Sequence, residues 1–238
     1  MFLLWFILPL TVLAQILPPT LPRDSQLIKK TTLTISYNPR HKQADWVFYP
    51  LGKKELKNCV PRGKGFKEDP ETPDGAKLED YKGSGYQRGH LSPAADNKWS
   101  RQVMGETFFL TNISPQKMRF NTGIWANLER LIRAWASKND SYVVTGPILN
   151  ENLRTIGRGV SVPETFYKVI LTEDKKEAIG IQMSTDASGN LNQYATTVNE
   201  VEHATGLNFF PGIPEEIESV VHKDFWDFDA KYNPLPCN

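Results

Sequence analysis

Tyr86-Gln87-Arg88-Gly89-His90-Leu91-Ser92-Pro93-Ala94-Ala95-Asp96 sets a titratable imidazole one residue past a glycine and two past an arginine. Histidine is the side chain whose ordinary pKa lets it take up a proton near neutral pH. The guanidinium of Arg88 offers a planar fork of donors suited to phosphate oxygens. Gly89 between them lets a bulky substrate approach the backbone, or permits a backbone angle that other residues resist. The chemistry is that of a general base beside a phosphate clamp. The plain alternative is a loop with a solvated arginine and a satisfied histidine, and this run alone does not separate the two.

Two further stretches do. Thr111-Asn112-Ile113-Ser114-Pro115-Gln116 is followed by Phe120-Asn121-Thr122-Gly123-Ile124-Trp125-Ala126-Asn127-Leu128-Glu129. With the first run they resemble the DNA/RNA non-specific endonuclease family, the ββα-metal nucleases that include endonuclease G-like enzymes. That family's signature reads Asp-Arg-Gly-His, then Asn-x-x-Pro-Gln, then Asn-x-x-x-Trp-x-x-Leu-Glu. The chain matches it in order and spacing, with Gln87 where the family usually has Asp, and the likeness runs from Ile35 to Pro211.

The resemblance implies an α+β domain: a central antiparallel β-sheet flanked by helices, with a ββα-metal (His-Me finger) active site. It implies DNA and RNA as substrates and His90 as general base, with Arg88 steadying the transition-state phosphate. Asn121 would be the direct metal ligand, Glu129 would act through metal-bound waters, and Asn112 would support the histidine or the metal's water shell. The cofactor implied is Mg2+, with Mn2+ as the alternative. Magnesium keeps most of its waters, so one amide oxygen is chemically sufficient. The family often places a substrate-binding arginine before an aromatic-x-x-Asp run, here Phe66-Lys67-Glu68-Asp69. Arg62 and Lys64 are the candidates, Arg62 the favoured one. A neutral Gln87 cannot lower the field around a cation by a full charge, which leaves metal affinity and pH optimum open.

Bulk properties add bounds. A chain of 238 residues suits one domain with a sizeable core. A net charge of +1 gives no argument for nucleic acid. Local charge says more: Lys53, Lys54, Lys57, Arg62, Lys64 and Lys67 precede the histidine run, either as a track for a phosphate backbone or as a solvated face. Phe2 to Ala14 is nearly all apolar, too short to span a bilayer, and ends in Val12-Leu13-Ala14. Residues 1–14 therefore read as an export signal and 15–238 as a single domain, secreted or periplasmic. In an oxidising compartment the two cysteines, Cys59 and Cys237, are expected to form one disulfide. Oligomeric state is not legible.

Along the chain, Gln15 to Asp24 reads as an extended arm. Leu33 to Tyr37 and Asp45 to Tyr49 read as a hairpin. Lys53 to Gly83 reads as a long surface loop, and Phe108 to Ile113 as a buried strand. A helix is expected from Asn121 to Ser137, with Ile124, Leu128, Leu131, Ile132 and Trp135 on one stripe and Asn121 as either N-cap or ligand. Ser141 to Gly146 reads as a strand and Thr165 to Met183 as a hairpin. Thr197 and Gly206 bound a short helix. Asn112-Ile113-Ser114 also fits a glycosylation sequon, the weaker reading inside a strand. Two other classes compete with the nuclease: a nucleic-acid-binding protein whose catalysis has lapsed, motivated by Gln87, and a phosphodiesterase for small nucleotides.

Overall fold

The computed structural model describes residues 16–63 and 65–237. The expected export segment and Lys64 lie outside the described residues.

The strands are β1 (Gln26–Lys29), β2 (Thr34–Asn38), β3 (Gln43–Leu51), β4 (Gln87–His90), β5 (Ile113–Gln116), β6 (Ser141–Pro147), β7 (Thr155–Ile156), β8 (Val160–Ser161), β9 (Thr165–Thr172), β10 (Ala178–Ser184) and β11 (Ala195–Thr196). The helices are α1 (Leu78–Tyr81), α2 (Arg101–Glu106), α3 (Met118–Thr122), α4 (Ile124–Lys138), α5 (Val198–Thr205) and α6 (Glu215–Glu218). Seven strands form one sheet in the order β1-β2-β3-β6-β9-β10-β11, every pair antiparallel. The expected α+β architecture with a central antiparallel sheet is the one observed.

Successive strand side chains point to opposite faces, and both faces of this sheet are covered. On one, Val47, Tyr49, Val143 and Ile170 pack with the α4 stripe Leu128, Leu131, Ile132 and Trp135. On the other, Trp46, Phe48, Val144 and Val169 pack with Val198 and Val201 of α5 and with Phe209 and Phe210. Double coverage explains why β3 and β9 read as nearly continuous apolar runs. The hairpins β2–β3 and β9–β10 form as expected. In α5 the Thr197 side chain accepts from the Glu200 N–H, and Gly206 closes the helix at a left-handed φ of 70°. The C-terminal tail returns across α4, with the rings of Trp226 and Trp135 5.0 Å apart. The disulfide Cys59–Cys237 joins that tail to the loop before the site.

Two expectations need correction. Phe108 to Ile113 is not one strand: Leu110–Asn112 is a 3-10 turn and only Ile113 onward is β. Its apolar residues enter different clusters, Phe108 beside Ala94 and Met104, and Leu110 and Ile113 beside Ala76 and Val160. The apolar run therefore reports burial, not alternation. The helix expected over Asn121 to Ser137 is two helices meeting at Gly123. A Cβ on Gly123 would lie 2.3 Å from the Arg119 carbonyl oxygen, so the junction accepts only glycine. Asn121 falls in the last turn of α3 and is not an N-cap.

The long loop from Lys53 to Gly83 is held from inside by buried Asp69. It takes the Lys30 ammonium at 2.9 Å and the Thr111 hydroxyl at 2.7 Å.

Candidate active site

The site is built on the two-stranded hairpin β4–β5, which pairs Gln87 with Gln116, Arg88 with Pro115, Gly89 with Ser114 and His90 with Ile113. Pro115 donates no hydrogen bond, which a two-stranded hairpin tolerates. Gly89 does not take a left-handed backbone angle. A Cβ there would stand 2.1 Å from the Gln116 side-chain oxygen, so the glycine makes room for a side chain of the neighbouring strand.

Across from the hairpin, α3 and α4 turn Asn121 and Glu129 toward it. Arg62, Gln87, Arg88, His90, Asn121 and Glu129 together line an open cleft of about 490 Å³. Five of the seven residues expected to act thus share one cavity, joined there by Gln87.

His90 is buried between two phenylalanines, its ring 5.2 Å from Phe66 and 5.0 Å from Phe108. Its Nε2 has no hydrogen-bond partner among the described residues. Burial, and then the charge of Arg62, push its pKa down to about 3. A neutral imidazole keeps one ring nitrogen unprotonated, and that nitrogen can accept a proton. The same two rings seat the arginines: Arg88 lies 4.7 Å over Phe66, and Arg62 5.5 Å over Phe108. Cation–π contacts of this kind hold a guanidinium in place while its N–H groups stay available.

Asn121 is half-buried, and its amide makes no hydrogen bond to any described residue. Glu129 is also half-buried and free of hydrogen bonds and ion pairs. Burial raises its carboxyl pKa; Lys168 opposes this, Asp96 adds to it, and Arg133 and Arg62 pull it down. Two unpaired oxygen donors on one wall suit a hard divalent cation, which takes oxygen ligands and, for magnesium, retains waters. Among the described residues no group of three or more His, Cys, Asp or Glu could form a full metal cage. The residues present therefore fit a hydrated cation with few direct protein ligands.

Asn112 is placed elsewhere. It is 0% exposed and does not line the cleft. Its side-chain oxygen accepts from Ser92 N–H at 2.9 Å, and its amide donates to the carbonyls of Ser92 and Thr107, both at 2.9 Å. Its own carbonyl accepts from Leu91 N–H at 2.9 Å. Asn112 thus fixes the chain that leaves His90 and touches no reacting group, and as a sequon it is inaccessible in the fold.

Beneath the cleft lies a buried charged group that the sequence reading missed. Arg133 pairs with Asp96 at 2.7 Å, and Tyr49 donates to the same carboxylate at 3.3 Å. Lys168 stands nearby in β9. The available signals were a lysine inside an apolar strand, and an arginine four residues past Glu129 on the same face of α4.

A family model described as DNA/RNA non-specific endonuclease matches residues 15–216. Nuclease C1 of Cunninghamella echinulata var. echinulata is 36% identical over 215 residues, covering 81% of this chain and 84% of that protein. Mitochondrial endonuclease G of Homo sapiens is 31% identical over 214 residues, covering 81% and 72%. Mitochondrial nuclease EXOG of Danio rerio is 32% identical over 209 residues, covering 78% of this chain and 61% of that protein. Among solved structures, a chain of the EndoG/EndoGI complex superposes with a TM-score of 0.75 at 28% identity, covering 86% of this chain and 91% of that one.

Proposed function

This chain belongs to the DNA/RNA non-specific endonuclease family, and from that premise we propose that it hydrolyses phosphodiester bonds of DNA and RNA with His90 as general base and one divalent cation, Mg2+ or Mn2+, at Asn121. The observation that carries the reading is the neutral imidazole of His90 lining one cleft with the unpartnered amide of Asn121 and carboxylate of Glu129.

His90 takes a proton from the attacking water. Arg88 and Arg62, seated on the rings that flank His90, bind the phosphate oxygens from the hairpin side. The Asn121 amide oxygen would hold the cation directly, and the Glu129 carboxylate would hold it through water. When bound, the cation supplies Lewis-acid relief of the charge on phosphate and leaving oxygen. Gln87, in the same cleft, hydrogen-bonds without adding negative charge. Cleft residues suited to phosphates, Arg62 and Arg88, support cutting with little sequence preference. The Cys59–Cys237 disulfide and the apolar leader support release to an oxidising compartment, secreted or periplasmic.

The test is nicking of plasmid DNA and digestion of RNA in Mg2+, Mn2+ or EDTA. His90→Ala is expected to lose about 10²–10⁴-fold in rate with unchanged circular dichroism. A folded His90→Ala that cuts like the parent sinks the reading. Salt-sensitive binding without metal-dependent nicking by the parent would give it to the lapsed-enzyme alternative.

A further inference from the structure

Lys168 is 0% exposed in the middle of β9, between Tyr167 and Val169, and forms no ion pair with any described residue. Its ammonium donates to the Leu91 carbonyl at 3.2 Å and the Thr145 hydroxyl at 3.1 Å, and lies 4.9 Å from the centre of the Trp125 ring. Two neutral oxygens and a ring are weak compensation for removing an ammonium from water. A methionine would fill similar volume without that cost. Burial lowers the lysine pKa to about 8, with Glu129 and Asp96 opposing the shift and Arg133 adding to it.

Three segments meet at this cation, two of them adjoining residues that line the cleft. Leu91 continues the chain from His90. Thr145 lies in β6, and Trp125 stands one helical turn before Glu129 on the same face of α4. We propose that Lys168 is a positioning residue for phosphodiester hydrolysis: its ammonium pins the peptide that follows the general base. The proposal rests on the reading of the cleft given above.

Lys168→Met tests it. The expected result is a kcat lower by about 30-fold or more with KM for nucleic acid changed by less than about threefold, and a melting temperature equal to or above the parent's. In the metal-free protein the NMR signals of the His90 ring are expected to move. A folded Lys168→Met with kcat within about threefold of the parent, or with unmoved His90 signals, overturns the proposal. Should Lys168→Met fail to fold, Thr145→Val decides, because it keeps the ammonium and removes one acceptor. A severalfold fall in kcat at constant KM supports the role, and an unchanged kcat overturns it. Failure of the underlying reading looks different: the parent shows no metal-dependent nicking, or His90→Ala retains it.

Discussion

Asn112 holds three main-chain groups with one amide, and each would be left unpaired by truncation. An unsatisfied buried group costs about 1–3 kcal/mol, so Asn112→Ala should lose about 3 kcal/mol or more of stability by urea unfolding and also lower kcat, since the chain after His90 is released. Activity untouched by that loss would show that the clamp does not govern the base. Glu129 and His90 divide the pH response differently. With its pKa near 3, His90 imposes no acid limb on the rate above about pH 4. The raised carboxyl of Glu129 places that limb above the ordinary carboxylate range instead. A cation favours the ionised carboxylate, so the limb in kcat/KM should move to lower pH as Mg2+ rises. A limb at the ordinary histidine position, insensitive to metal, would contradict the assignment.

Gly123 separates two helices where periodicity suggests one, and that break sets where Asn121 points. Adding a methyl at 2.3 Å from the Arg119 carbonyl oxygen forces the junction to shift. Gly123→Ala is expected to cost about 1–3 kcal/mol and to raise the Mg2+ concentration needed for half-maximal rate about tenfold or more. A stability loss without change in metal dependence would detach the junction from the cation site. Much at this scale was legible in the residues. The α4 stripe, the two long hairpins and the Thr197 cap follow from periodicity and capping chemistry that act within a few residues. The break at Gly123 is local, set against the Arg119 carbonyl four residues before it, but apolar periodicity runs through it unmarked. The strand misread over Phe108 to Ile113 depends on contacts with a segment distant in sequence. Lys67 takes the main-chain bonds of Phe108 and Leu110, and no local pattern announces that. The site was legible because its motifs fix His90, Arg88, Asn121 and Glu129 in order. Lys168 and Arg133 were not, since a lone charge in an apolar run has no meaning until its neighbours across the sheet are known.

Across the whole molecule, acid and reduction should act at separable places. His90 has a folded pKa far below the ordinary 6.5, and that of buried His41 is also lowered. As pH falls below 6.5 the unfolded chain binds these protons first, so the stability they contribute is complete above 6.5 and drains away toward pH 3. Glu129, with its raised carboxyl, works the other way and favours the fold on the acid side. For His90 alone the loss at pH 5 is about 2 kcal/mol. His90→Phe, which keeps an aromatic ring between Phe66 and Phe108, should therefore be inactive yet more stable than the parent at pH 5, with the difference shrinking by pH 7.5. Equal stability at both pH values would mean that the imidazole is solvated in the native state. The disulfide acts elsewhere, closing a sequence separation of 178 residues. Its loss is expected to cost about 2–5 kcal/mol, or roughly 5–15 °C in melting temperature for a domain of this size. The same bridge fastens the stretch in which Cys59 and Val60 donate to the Lys98 carbonyl, only two residues before Arg62. Cys59→Ser with Cys237→Ser should therefore raise KM for nucleic acid more than it lowers kcat, measured well below the new melting point. A selective fall in kcat would instead place the effect at His90, which the bridge does not touch.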